Sequence, residues 1–480
     1  MNLRFILKNL GLILLCEGAL MAPSLGIALY LSESDAPAFF LTMVITLAVG
    51  FMLSHVRCTN TRLSGREGFA TASLAWLLVA TFGALPFLFS GTLTTFSDAF
   101  FEAMSGFTTT GATVLADLES LPHGLLFWRS FAHWLGGMGI IVMTLAVLPA
   151  FRTGGLLLFR AEVPGPTKNK IAPRVEETAK YLYFIYIGIS VVEILLLKLA
   201  GMPTFDAFIH TFGTMGTGGC SNKNLSVAAY ANPWIEAIIV VFMLIAGTNY
   251  NLHFAALRGN LRSVLKDDEF RLYLGIIGTA IILITINQIL ASGYGIIGSL
   301  RKAVFQVVSI ITTTGYTTVD FSQWPTFSRT ILLALMFIGG CATSTSGAIK
   351  VSRVLILVRS ARREVYKLLH PRAVVPVRYS GVVVPESVIS NVHGFFLLYV
   401  LIFLGGTLAL TTMDLDLVTA FSAAAATLGN IGPGLSAVGP ATNYSFIAPA
   451  GKYLLSFLML LGRLEIFSVL TVLSPHFWRD

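Results

Sequence analysis

Four short stretches rich in threonine and glycine recur along the chain of 480 residues, and their backbone oxygens are suited to binding a dehydrated cation. Each stretch follows a marker in which an alanine precedes an apolar residue. The marker alanine lies 12 residues before a loop glycine in three stretches, and in the second stretch Gly219, not Gly218, restores that spacing. We therefore align four loop glycines: Gly111, Gly219, Gly315 and Gly432.

A glycine lets a loop adopt backbone conformations that are closed to other residues. Four such loops around one axis would stack carbonyl oxygens in rings, as in a potassium filter. Threonine hydroxyls add oxygens, and the loops have no Asp or Glu ring of the kind expected for divalent cations. A single Thr-Thr-Gly stretch usually marks an ordinary turn, whereas four at matched spacing favour a filter. The predicted potassium-binding residues are Thr109, Thr110, Gly111, Thr217, Gly218, Gly219, Thr313, Thr314, Gly315, Asn430, Ile431 and Gly432.

A positive charge lies within the last apolar run of the chain, at Arg463, with Glu465 two residues later. Charges inside a membrane are costly and by default face a bundle interior or an ion pathway. Aligned by the glycines that follow each loop, Arg463 shares its level with Gly137, Gly247 and Gly340. A cation there would repel a permeant ion. A structural ion pair is the alternative, although residues two apart on a helix point to different sides.

Residues 339–350 form a second anomaly, because small and polar side chains interrupt an otherwise apolar segment. Irregular backbone at membrane depth is tolerated where it is buried in protein or lines a cavity. A close helix crossing through small residues is the alternative explanation. The sequence alone leaves both open.

The elements that position these residues are membrane spans. The chain is 55% hydrophobic and 12% charged, unlike a typical soluble domain. Each loop follows about ten helix-compatible residues, too few to cross roughly 30 Å of hydrocarbon, and this predicts a half-helix that enters and returns. The first apolar stretch is too long for a signal peptide, so we expect it to be retained. The apolar stretches are 5–31, 36–56, 68–89, 130–150, 181–202, 234–248, 272–289, 331–340, 392–410 and 452–473.

The 32 Lys and Arg residues fall mostly in basic stretches that alternate with acidic or weakly charged connections. The positive-inside rule then predicts that these stretches and both termini lie in the cytoplasm. The chain has a net charge of +8. The placement of the basic stretches indicates that they lie near anionic membrane lipid and do not bind nucleic acid. The basic stretches are 1–8, 57–66, 152–180, 258–271 and 353–378.

Other chemistry has little support. The four cysteines show no CxxC spacing, which argues against a zinc site or a disulfide framework. No phosphate-loop motif is present, so we expect no organic cofactor. We expect no enzyme, because no paired nucleophile and base is evident. A carrier coupled to protons or sodium and built from inverted repeats is the main alternative, but these units run in one direction.

The motifs resemble those of the TrkH/TrkG/KtrB/HKT superfamily over nearly the full length. The resemblance implies an all-α polytopic membrane protein in which four fused M1-P-M2 repeats surround one pore, after two extra N-terminal transmembrane helices. The matching segments are 64–69, 108–113, 136–141, 159–166, 428–435 and 462–465. The corresponding divisions are 1–66 for the extra helices, then 67–155, 156–265, 266–378 and 379–480 for the repeats.

The resemblance also implies a function and partners. A homodimer would carry out potassium uptake across the bacterial inner membrane, controlled by a cytoplasmic TrkA-like nucleotide-binding ring. Residues 339–350 would be an intramembrane loop that gates the pore, with Lys350 at its cytoplasmic end. Cys220 stands where the family more often has Phe, which leaves strict potassium selection against mixed potassium and sodium permeation open. The predicted gating residues are Gly339, Gly340, Gly347, Lys350 and Arg463.

Overall fold

The computed structural model describes residues 2–57, 65–147, 175–293 and 295–478. The described chain is predominantly helical, and six of its helices are long and apolar enough to cross a membrane. Two further bent helix pairs raise that number to eight if each pair is one span. The protein is therefore a multi-pass membrane protein. The six long spans are Leu3–Tyr30, Ala36–Ser54, Arg66–Phe89, Lys180–Leu199, Asp268–Ala291 and Glu386–Thr411.

Some sequence predictions lie outside the described residues. They include most of the basic stretch 152–180, part of the stretch 57–66, the motif 159–166 and the predicted division between residues 155 and 156.

The opening helices pack closely through small residues. Asn2 accepts a hydrogen bond from the Phe5 N–H at 3.2 Å and so caps the first helix. A Cβ built on Gly11 would overlap the backbone of residues 53 and 54 in the facing helix. That contact lets two apolar helices approach without bulky side chains between them. The opening helices are Leu3–Leu20, Ala22–Tyr30, Ala36–Ser54, Gly65–Gly83 and Leu85–Phe89.

Four short helices that are largely buried, here called the loop helices, precede the four Thr/Gly-rich loops. They have 12 to 16 residues, or about 18–24 Å at the α-helical rise, which is too short to span a bilayer. Side chains cap two of them: Thr95 accepts from the Asp98 N–H, and Asp416 accepts from the Thr419 N–H. The loop helices are Phe96–Phe107, Thr204–Met215, Ile296–Ile311 and Leu417–Leu428.

The helices that follow the second and fourth loops are sharply bent, by 101° and 119°. The helix after the third loop ends at Leu335, and irregular chain runs from there to Lys350. The helices around the loops are His123–Val147, Val175–Leu199, Pro233–Ala246, Tyr250–Leu257, Leu261–Lys266, Asp268–Ser292, Thr326–Leu335, Val351–Leu369, Glu386–Thr411, Pro449–Arg463, Phe467–Leu473 and Pro475–Trp478.

The predicted continuous run 452–473 is wrong at one place, because the helix breaks after Arg463 and resumes at Phe467. Glu465 has a positive φ of 54° in the break. Its side chain is half exposed there and pairs with Arg353 at 2.5 Å. A straight helix would carry this carboxylate into apolar surroundings, and the bend avoids that cost.

A two-stranded antiparallel hairpin was not anticipated by the all-α prediction. Arg378–Tyr379 pairs with Val382–Val383, and Tyr379 lies opposite Val382. The buried Tyr379 joins a small core with residues of the neighbouring helices, including Ile356 and Ile389. Three short 3₁₀ turns complete the described structure: Ser226–Tyr230, Phe321–Gln323 and Ser436–Val438.

Candidate functional site

The four loops share one backbone conformation. The first residue of each has a left-handed φ between 52° and 56°, which is unusual for threonine because its Cβ is branched. Two residues later a glycine again has a positive φ, from 63° to 98°. In the second loop this glycine is Gly219, the one that the spacing selects. The first residues are Thr109, Thr217, Thr313 and Asn430, and the glycines are Gly111, Gly219, Gly315 and Gly432.

The residue between these two positions closes each loop helix in the same way. Its N–H donates to the carbonyl five residues earlier, at 2.8 or 2.9 Å in all four loops. The left-handed residue before it donates to the carbonyl three residues earlier, as in a Schellman cap. The middle residues are Thr110, Gly218, Thr314 and Ile431.

The carbonyl oxygens of these middle residues accept none of the hydrogen bonds found among the described residues. Yet Thr110, Thr314 and Ile431 are fully buried. Buried backbone carbonyls in proteins are nearly always paired. Four equivalent exceptions at one place therefore point to an external partner with positive charge.

These four oxygens form a closed ring in chain order. A Cβ built on Gly111 would overlap the carbonyl oxygen of Gly218, and one on Gly219 would overlap that of Thr314. A Cβ on Gly315 would likewise overlap the Ile431 oxygen, and one on Gly432 would lie 2.7 Å from the Thr110 oxygen. Each glycine thus admits the middle carbonyl of the next loop, and the fourth loop returns to the first. We call this set of loops the carbonyl ring.

Electrostatics at the ring favour a cation. All four loop helices end at it, so their C-terminal partial negative charges converge there. The described residues contain no group of three or more His, Cys, Asp or Glu arranged to hold a metal. The ligands that the ring itself offers are backbone and hydroxyl oxygens, which suit a hard alkali cation.

A buried ion pair that the sequence analysis missed braces the first two loops. Arg129 donates through Nε to Glu102 at 2.5 Å, and both side chains are at most 5% exposed. Glu102 also accepts from the Val114 N–H at 3.0 Å, just beyond the first loop. Arg129 reaches the Ser221 carbonyl at 3.1 Å, just beyond the second. The available signal in the sequence was one charge in the first loop helix and one in the helix that follows its loop. Charged side chains within a membrane tend to pair with each other.

Hydroxyl groups brace the other loops. Tyr316 donates to the carbonyls of His210 and Cys220 at 2.8 and 3.0 Å, linking the third loop to the second unit. Tyr444 donates to the Gly432 carbonyl at 2.7 Å. These bonds fix the loops without using the ring oxygens.

Beyond the ring, the chain leaving the first loop is tied to the chain leaving the second. Asn224 donates to Asp117 at 2.9 Å. This hydrogen bond, followed by one from Ser120, lowers the pKa of the Asp117 carboxyl. The group stays ionised at neutral pH and favours cations near it.

The irregular segment 336–350 lies directly against the carbonyl ring. The Gly347 N–H donates to the Thr313 hydroxyl at 2.7 Å. A Cβ on Gly347 would overlap the carbonyl of Gly429, just before the fourth loop. The Lys350 ammonium turns back and donates to the Ser346 carbonyl within the segment. The segment is thus held by its own bonds, by the Thr313 hydroxyl and by the Gly247 carbonyl, which accepts from the Cys341 N–H at 2.8 Å, and it packs closely against Gly429.

Arg463 lies beside the irregular segment and contacts Gly136, the neighbour of Gly137 at its predicted level. It is 2% exposed and donates to the carbonyls of Thr345 at 2.6 Å and Gly136 at 2.9 Å. Among the described residues it forms no ion pair, since Glu465 pairs with Arg353. The alternative of an Arg463–Glu465 pair is therefore wrong. Two of the glycines at this predicted level lie close together, because a Cβ built on Gly340 would lie 2.5 Å from the carbonyl oxygen of Gly247.

Comparison with known proteins identifies the family of this chain. The model of the TrkH family, described as a cation transport protein, matches residues 35–479. The chain belongs to the TrkH family. It is 43% identical over 486 residues to the Trk system potassium uptake protein TrkH of Salmonella typhimurium (strain LT2), with 100% of both chains covered. It is 35% identical to the Trk system potassium uptake protein TrkG of Escherichia coli (strain K12), covering 100% of this chain and 99% of that one.

A solved structure of the family has the same fold. The crystal structure of the potassium transporter TrkH from Vibrio parahaemolyticus matches with a TM-score of 0.92 at 38% identity, and each chain is covered completely. The family membership predicted from the sequence motifs is confirmed.

Proposed function

We propose that this chain is the membrane subunit of a Trk-type system and conducts potassium through the carbonyl ring. The observation that carries the proposal is the closed ring of four equivalent carbonyls, which accept no hydrogen bond among the described residues. A potassium ion entering the ring exchanges water oxygens for these carbonyl oxygens. The names of the relatives, which are potassium uptake proteins, support the choice of ion.

The proposed architecture has four M1-P-M2 repeats around this one pore. In it, residues 67–155, 156–265, 266–378 and 379–480 each supply one loop helix and one loop, after two extra helices in residues 1–66. The equal conformations of the four loops support this division. The twelve predicted filter residues all belong to the four loops that form the ring, and we propose them as the potassium site, with no organic cofactor.

We further propose that the protein sits in the bacterial inner membrane with both termini in the cytoplasm. The basic residues of the helix Val351–Leu369 support that orientation. A second copy and a cytoplasmic nucleotide-binding ring are the proposed partners, in keeping with relatives that belong to a named Trk system. The irregular segment 336–350, with Arg463, is the proposed gate because it lies against the ring.

Current through purified protein in a planar bilayer tests the proposed function. We expect the reversal potential to follow an imposed potassium gradient more closely than a sodium gradient of the same size. A reversal potential that instead follows a proton gradient would replace the pore with a coupled carrier. Currents indifferent to potassium would overturn the proposal.

The gate can be tested within the segment itself. A Cβ on Gly339 would overlap the Gly347 carbonyl, so Gly339→Ala displaces the segment without touching a loop. Such overpacking costs about 1–3 kcal/mol, and we expect the open fraction to rise about tenfold with an unchanged potassium-to-sodium ratio. Deleting 339–347 should act in the same direction.

Gly405→Ala is the matched control, because a Cβ there meets nothing within 4 Å. Single-channel recording measures the open fraction directly. Selectivity lost in parallel with gating would place the segment in the filter and contradict the assignment.

A further inference from the structure

One buried carboxylate, Glu269, anchors the proposed gate in addition to the contacts described above. Glu269, near the start of the helix Asp268–Ser292, is 1% exposed. Its Oε1 accepts hydrogen bonds from the Ala342 N–H at 2.6 Å and from the Ser352 N–H at 3.0 Å. Ala342 lies within the irregular segment, and Ser352 lies in the first turn after it. One oxygen therefore holds both the segment and the helix that continues from it.

The other oxygen of the same carboxylate binds the hairpin. Oε2 of Glu269 accepts from the Tyr379 hydroxyl at 3.0 Å. Tyr379 is 1% exposed and packs in the small core beneath the hairpin. The Glu269 side chain thus joins hairpin and segment within the span of one carboxyl group.

The two acids before Glu269 fix the turn of the hairpin. Asp268 accepts from the Ser380 N–H at 3.1 Å and from Arg359 at 2.9 Å. Asp267 accepts from the Ser380 hydroxyl at 3.1 Å. The turn is consequently tied to the start of this helix, so a shift of the hairpin strains these bonds together with the bond from Tyr379 to Glu269.

The second strand of the hairpin is available from outside. Val382 and Val383 are each about half exposed, whereas Tyr379 on the facing strand is buried. Anything that binds or displaces this strand acts on the opposite strand through their backbone pairing. A displacement of Tyr379 then reaches Glu269 through the hydrogen bond from the Tyr379 hydroxyl, and Glu269 is the residue that holds Ala342.

We propose that Glu269 is a positioning residue that couples the hairpin 378–383 to the gating segment. The proposal rests on the proposed gating role of that segment. When the hairpin shifts, Tyr379 leaves Oε2, the carboxylate reorients, and the anchor on Ala342 weakens. The segment is then released from its place against the carbonyl ring, and flux rises. Glu269 touches no permeant ion, so selectivity is unaffected.

Potassium flux into vesicles containing the purified full-length protein tests this coupling. Glu269→Ala removes all three bonds, and we expect flux to rise about tenfold. Glu269→Gln keeps an oxygen for the two amides and should stay within about threefold of the unaltered protein. Tyr379→Phe removes only the hydroxyl and should raise flux about threefold. Glu386→Ala is the control for loss of a carboxylate, because Glu386 pairs with Arg363 and not with the segment.

A double variant separates coupling from general loosening. If the hydroxyl acts through the carboxylate, Tyr379→Phe adds nothing in the Glu269→Ala background. Equal and independent effects of the two changes would overturn the coupling, as would an altered potassium-to-sodium ratio in Glu269→Ala. If Glu269→Ala does not fold, the comparison of Tyr379→Phe with Glu386→Ala decides, and equal flux in those two overturns the proposal.

Gly339→Ala, measured alongside, distinguishes failure of the coupling from failure of the proposed gate. If Gly339→Ala changes flux and the Glu269 and Tyr379 variants do not, the gate stands and the coupling is overturned. If Gly339→Ala also leaves flux unchanged, the gating role fails and the coupling falls with it.

Discussion

Replacing Gly315 with serine is expected to lower the potassium-to-sodium permeability ratio about tenfold while leaving protein abundance nearly unchanged. Gly315 has a φ of 82°, where any side chain is strained. Its Cβ would overlap the Ile431 carbonyl oxygen and lie 2.8 Å from Cδ of Pro433. The substitution therefore moves one of the four ring oxygens, and an ion site with one displaced ligand discriminates less well between ions of different size.

Gly298→Ser is the matched control for this change. Gly298 lies in the same loop helix, and a Cβ there meets nothing within 4 Å. Reversal potentials under mixed potassium and sodium gradients measure the ratio, and size-exclusion profiles monitor folding. An unchanged ratio in well-folded Gly315→Ser protein would show that the ring is not the selectivity filter.

Replacing Arg463 with alanine is expected to raise potassium flux about tenfold. At about 4 Å and an effective dielectric of about 20, two unit charges repel by about 4 kcal/mol. Water in the pore would reduce this to about 1–2 kcal/mol, and each 1.36 kcal/mol is worth a factor of ten in rate. Arg463 also donates to the Thr345 carbonyl of the segment, so its removal is expected to weaken the proposed gate and to raise flux further.

Arg463→Lys separates charge from anchoring. Lysine keeps the positive charge but loses the fork of donors that reaches both carbonyls. If charge is the barrier, its flux stays near that of the unaltered protein. Arg362→Ala, which removes an exposed arginine, controls for net charge. Normal or lower flux in Arg463→Ala, together with a clear fall in melting temperature, would show instead that Arg463 is a structural donor.

Local features of the fold were predictable from the sequence because they depend on the spacing of residues that are close together in the chain. The spacing from alanine to glycine selected Gly219, and the structure gives that residue the same left-handed φ as its three equivalents. Counting residues after each loop put Arg463 level with Gly137, and Arg463 donates to the carbonyl of the neighbouring Gly136. Apolar stretch length predicted the long spans, but the predicted span at 331–340 is wrong, because the helix Thr326–Leu335 ends within that stretch and residues 336–340 are irregular.

Long-range pairing was not predictable in the same way. Glu102 and Arg129 are 27 residues apart, and Glu269 and Tyr379 are 110 apart. Nothing in the neighbourhood of either residue specifies its partner, because the partner is chosen by how distant helices pack. The bend after Arg463 was missed for the same reason. Glu465, which lies in the bend, pairs with Arg353, and the two residues are 112 positions apart in the sequence.

The four loops of the carbonyl ring belong to a single chain, and this changes what a mutation can do. In a pore made of four identical subunits, every substitution appears four times and its cost is multiplied. In this chain a substitution changes only one of the four loops. Asn430 is already such a departure: it takes the place of the threonine in the other loops and donates to the Thr110 hydroxyl at 3.0 Å. The four loops of the proposed pore are therefore free to diverge one at a time, so that each substitution changes one quarter of the carbonyl ring.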